Sequence, residues 1–185
     1  MAKVTPHTTY VPAGASPVRR LGSKYTVRLW SVRHAGLLES FYSFFVEALL
    51  KLHWLWNLIG YTRVERPMVF IERRVKEFLF DCRMCGQCAL SDTGMSCPMN
   101  CPKGLRNGPC GGVRADSSCE IEPDMPCVWV EAWKGSQTMR AKDNILKVQK
   151  PIDHSQRGTS DWLRVTARRA VERAAANHTT TEPGP

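Results

Sequence analysis

Eight cysteines fall between Cys82 and Cys127, and the chain has no others. That density constrains the fold more than any other feature. The stretch around them, SDTGMSCPMNCPKGLRNGPCGG, is dense in Gly, Pro, Asn and Ser, the residues of turns. An apolar core is not expected from such residues, so ligation is expected to order the region in place of buried area. No apolar h-region follows Met1, which argues against a secreted disulfide framework. Dense thiols in a reducing cytoplasm point to metal or redox chemistry.

The spacing narrows the chemistry. CRMCGQC places Cys82, Cys85 and Cys88 in a C-x2-C-x2-C run, followed by Cys97, Cys101, Cys110, Cys119 and Cys127. The run matches the opening of the bacterial ferredoxin motif, in which two-residue spacers wrap three corners of a cubane. A fourth corner is available from Cys97-Pro98 or from Cys101-Pro102, since proline lacks an N–H and turns the chain away. Eight thiols allow one or two [4Fe–4S] clusters, and spacing alone leaves their pairing open. Two Zn2+ ions with four thiolates each are the alternative. Zinc sites usually present separated C-x2-C pairs, and here the only two-residue spacers overlap in one triplet, which favours iron–sulfur. In NGPCGG, Gly111 and Gly112 permit a nest of amides that can donate to a thiolate or sulfide.

With 185 residues the chain has room for one domain and falls short of a TIM barrel, which takes at least about 200. The expected fold is a small α-rich, cysteine-rich, metal-stabilised domain in which N-terminal helices lead into a loop-dominated module. Four parts are expected: a basic flexible arm over 1–30, a helical region over 31–80, the cysteine-rich module over 81–133, and a helical tail with a disordered end over 134–185. Within ESFYSFFVEALLKLHWLWNLIG, Glu39, Ser43, Glu47 and Lys51 form a polar stripe. Leu38, Phe41, Phe45, Ala48, Leu52, Leu55, Trp56 and Ile59 fill the apolar face of one amphipathic helix. Pro67 is expected in the first turn of a second helix. That helix would turn Met68, Ile71, Val75, Phe78 and Leu79 inward and Glu72, Arg73, Lys76 and Glu77 outward. Trp129 and Trp133 are expected to pack together in the core, and Thr159 or Ser160 to cap the last helix.

The formal net charge is +9, before any thiolates are counted. The positive residues do not form a stripe interleaved with aromatics, so no nucleic-acid partner is expected. Glu47 and Lys51 interrupt the longest apolar stretch, so no transmembrane segment is expected. The exposed side of that helix is acidic as well as basic, which suits packing on protein better than peripheral membrane contact. The five histidines are scattered, no nucleophile–base pair stands out, and no catalytic residue is assigned. Without a phosphate loop or a GxGxxG motif, the chain is not expected to bind a nucleotide of its own.

CRMCGQC, SCPMNCPKGLRNGPCGG and SCEIEPDMPCVWVEAW, taken in that order, resemble the methylene-tetrahydrofolate reductase C-terminal domain family. The likeness runs from about Phe78 to Trp133. It implies a small, separate subunit that partners a flavin-dependent methylenetetrahydrofolate reductase in the cytoplasm. That partner would be a TIM barrel carrying the flavin, FMN or FAD, and the folate site of one-carbon metabolism. The resemblance implies metal ligation by Cys82, Cys85, Cys88, Cys97, Cys101, Cys110, Cys119 and Cys127 as a set. The subunit would relay electrons to the flavin or, in the alternative, scaffold the reductase through structural zinc. Lys103 and Arg106 would lie beside the metal centres.

Overall fold

Helix formation dominates the chain on both sides of the cysteine module. The structure, a computed structural model, describes residues 25–179. Among the described residues there are six α-helices: α1 (Thr26–Arg33), α2 (Ala35–Lys51), α3 (His53–Ile59), α4 (Tyr61–Phe80), α5 (Val128–Ser136) and α6 (Asp161–Thr179). No strand forms among the described residues, and a single antiparallel bridge joins Ser118 to Pro126. Most of the basic arm lies outside the described residues, as does the end of the tail.

The apolar stretch does not run as one helix. It breaks at Leu52, between α2 and α3, and again at Gly60, where φ is +92°. The break shifts the inward face. Val46, Leu49 and Leu50 are buried while Phe41 and Leu52 stand exposed. The polar stripe is not simply solvated. Glu39 accepts from the backbone N–H groups of Arg140 and Ala141, and Glu47 pairs with Arg173 of α6.

Pro67 also departs from expectation, lying inside α4 instead of opening it. Proline removes one intrahelical donor there. The faces of α4 are partly reversed, for Arg73 and Glu77 do face outward and Leu79 packs inward. Ile71, Val75 and Phe78 are exposed, whereas Glu72 and Lys76 are 1% and 4% exposed. The cause is a polar partner. Ser160 Oγ donates to Glu72 Oε2 at 2.6 Å, Trp162 N donates to the same oxygen at 3.3 Å, and Lys76 Nζ lies 2.5 Å from Glu72 Oε1. A buried charge is tolerated only when it is paired and hydrogen-bonded, and this pair meets both conditions.

The end of α4 is the hub that positions the module. Asp81 caps it in a left-handed conformation and turns the chain into Cys82. Ser31 Oγ of α1 and Asn100 Nδ2 of the module donate to the carbonyls of Leu79 and Phe80. The module does share an apolar core, contrary to expectation. Leu90, Met95 and Cys97 pack with Ala35 of α2, Phe80 of α4 and Met139. Helices on either side lend the surface that the turn-rich stretch lacks. Packing against α5 is close enough to require glycine, because a Cβ at Gly135 would meet the Gly94 carbonyl oxygen at 2.0 Å. Trp129 is 7% exposed and donates to the Leu105 carbonyl, while Trp133 is 54% exposed and does not join it in the core.

Candidate metal centres

The eight cysteines sort into two groups of four around two recesses. Cys82, Cys85, Cys88 and Cys97 line the first. Cys101, Cys110, Cys119 and Cys127 line the second. Both Cys-Pro candidates for a fourth corner are thus used, one in each recess. Among the described residues, no three His, Cys, Asp or Glu side chains converge closely enough to grip a single ion.

The first recess is walled by helices. Its loop leaves the end of α4, and Asp161 at the start of α6 accepts from the Cys88 N–H at 3.3 Å. The loop backbone is unusual: Met84 and Gly86 have φ of 46° and 75°. Met84 N lies 3.4 Å from Cys82 Sγ, as an N–H donor to sulfur. Arg106 reaches in from the neighbouring turn. Its guanidinium donates to the Gln87 carbonyl at 3.2 Å and lies 4.0 Å from Cys85 Sγ. Burial pushes the thiols of Cys88 and Cys97 up to about 12. After burial, the Cys82 and Cys88 thiols are the largest influences on Cys97, as expected of groups that share one space. Burial also raises Cys82. Burial pushes the Lys76 ammonium down, but Cys88, Glu72 and Asp161 together reverse this and hold it above its ordinary value.

Turns wall the second recess. Cys110 is exposed, and Gly112 N donates to its sulfur at 3.4 Å, which lowers the thiol below its ordinary value. The NGPCGG turn therefore forms the amide–sulfur contact its glycines permit. Lys103 pairs with Glu120 at the rim. The Cys119 and Cys127 backbone N–H groups donate to Met125 and Ser117, closing the turns that carry both thiols. Buried Trp129 and Val128 form the floor.

The cysteine pattern pointed to all eight thiols and to Lys103 and Arg106. It missed Glu72, Lys76 and Asp161, which line the first recess. A signal was present: Glu72 and Lys76 are an i,i+4 pair ten and six residues ahead of Cys82.

A family model described as methylene-tetrahydrofolate reductase C terminal matches residues 61–155, just over half of the chain. The chain belongs to that family. The methylene-tetrahydrofolate reductase C-terminal segment spans α4, all eight cysteines and α5. Helices α1 to α3 and all of α6 lie outside it. No curated protein and no solved structure matches the chain significantly. No helix among the described residues is long and apolar enough to cross a membrane.

Proposed function

We propose that this chain is the iron–sulfur accessory subunit of a two-subunit methylenetetrahydrofolate reductase. In the cytoplasm it relays electrons to the flavin, FMN or FAD, of a TIM-barrel partner. The observation that carries the reading is the division of eight thiols into four and four around two recesses. Each set supplies the four thiolates of one [4Fe–4S] cluster. Four thiols per recess are also the ligand number of a structural Zn2+, which is the alternative reading. Family membership supplies the link to the reductase.

When bound, such a cluster supplies reversible one-electron chemistry. Two sites together hold two electrons, the number that fully reduces one flavin. The chain's own groups prepare the sites. N–H donors at Met84 and Gly112 reach thiolate sulfur, and hydrogen bonds of that kind raise a cluster's potential. The Arg106 guanidinium offsets negative charge beside Cys85, and Trp129 excludes water from the floor of the second recess.

Anaerobic purification with metal analysis and a visible spectrum tests the reading. A broad band that bleaches with dithionite, with iron and sulfide in equal amounts, is expected. A colourless protein holding zinc and no iron would replace electron relay with a scaffold.

A further inference from the structure

The CRMCGQC loop is gripped from outside by one short segment far along the chain, residues 153–164. Gly158 N donates to the Met84 carbonyl at 2.9 Å, and Asp153 N donates to Gln87 Oε1 at 3.2 Å. Arg164 donates to the Gly86 carbonyl, to Gln156 Oε1 and to Thr159 Oγ1. Asp161 accepts from the Cys88 N–H. The approach is backbone to backbone, because a Cβ at Gly86 would lie 2.1 Å from the Gln156 carbonyl oxygen. Beneath these contacts, Ser160 and Trp162 N bond Glu72, and Lys76 lies between Glu72 and Asp161.

Such a grip answers a need. Met84 is a non-glycine residue in the left-handed region, two positions from a second left-handed residue at Gly86. Left-handed non-glycine backbone is unfavourable and persists where surrounding structure over-determines it. The segment bonds Met84, Gly86, Gln87 and Cys88, which are the residues that aim the thiols. Thr159 and Asp161 line the first recess, and no residue of the segment lines the second. Residues 156–164 also lie beyond the matched family segment, which ends at 155.

We propose that residues 156–164 are a positioning element for the first four-cysteine site, holding the CRMCGQC backbone so that Cys82, Cys85 and Cys88 stand ready for a cluster. Arg164 and Asp161 are its positioning residues, and neither is a ligand. The proposal rests on the iron–sulfur reading above.

The test uses the full chain, loaded anaerobically with iron and sulfide, and follows iron release to an external chelator by absorbance. In the unmodified chain the iron divides into two equal populations. Arg164→Ala is expected to speed release from one population by about 10–100-fold, the usual range for an outer-shell change, and to leave the other untouched. Arg164→Lys, which can still reach the Gly86 carbonyl, restores part of the retention. Asp161→Asn, nearly identical in shape, affects the same population as Arg164→Ala. Unchanged release in both Arg164→Ala and Asp161→Asn would overturn the proposal. So would equal acceleration of both populations. An unmodified chain that takes up no iron would remove the iron–sulfur reading itself, before any variant is compared.

Discussion

The two recesses offer the same four thiols but are made of different material. The first is set among helices, with α4 beneath its loop, α6 across it and buried charges on its wall. The second is set among turns, with an exposed cysteine and a rim ion pair open to water. The first packs on the apolar core through Cys97 beside Phe80 and Met95, and the second rests on buried Met125, Val128 and Trp129. The same number of thiols therefore sits in two settings, and on the proposed cluster reading the first site draws on packing where the second draws more on ligation. Four predictions sharpen or break that contrast.

Metal removal is the most severe. Stripping the loaded chain with a chelator is expected to weaken amide protection around Cys110 and Cys119, which sit in turns and not in helices. Protection in α4 and α6 should survive, as hydrogen exchange with mass spectrometry would show. Uniform loss across all regions would erase the distinction between the sites.

Glu72→Ala comes next. It leaves buried Lys76 with only Asp161, at 3.7 Å, as a carboxylate partner and Ser160 without its acceptor. Breaking a buried pair costs roughly 3–5 kcal/mol, readable as a lower urea midpoint with unchanged slope. The equivalent cut at the second site is Lys103→Ala. Its ion pair with Glu120 is about one-third exposed on both sides, and such pairs contribute about 0–1 kcal/mol. Equal losses from the two variants would contradict the contrast.

Thiol reactivity separates the sites without changing a residue. The thiolate is the nucleophile, so a lowered thiol reacts at lower pH and a raised one at higher pH. In the metal-free, reduced chain at mildly alkaline pH, iodoacetamide should label Cys110 first. Cys88 and Cys97, pushed up to about 12, should label last, with rates that keep climbing as pH rises. Peptide mass mapping over time would reveal the order, and faster labelling at Cys97 than at Cys110 would break the comparison.

The smallest effect concerns acid. Hydrogen bonds from Ser155 hold the Asp153 carboxyl below its usual range at the edge of the loop grip. A depressed carboxyl contributes stability above its ordinary range and loses it as pH falls through the lowered value. The 153–156 turn should therefore loosen only in strong acid, with its amides gaining exchange before those of α6.

What the sequence disclosed follows the same divide. The triplet loop and the cap at Ser160, whose Oγ accepts from Leu163 N, are local features and were legible. The sorting into two sets was not, because Cys97-Pro98 and Cys101-Pro102 are equivalent as text and differ only in which way the chain turns around Pro98–Asn100. The reversed face of α4 was hidden for a related reason. Hydrophobic periodicity assumes an apolar partner, and the partner of Glu72 and Lys76 is a serine and a carboxylate almost 90 residues on. The break at Leu52 lacks glycine and proline on either side, so no local signal marks it.

Counting iron in paired cysteine variants tests the four-and-four sorting most directly. Cys88→Ser should lower bound iron by about half, on the basis of four thiolates per cluster. Adding Cys97→Ser, from the same recess, should remove no more. Adding Cys119→Ser instead, from the other recess, should remove nearly all the rest. Iron that vanishes in the Cys88→Ser/Cys97→Ser pair, or survives at half in the Cys88→Ser/Cys119→Ser pair, would contradict the assignment of ligands to two separate sites.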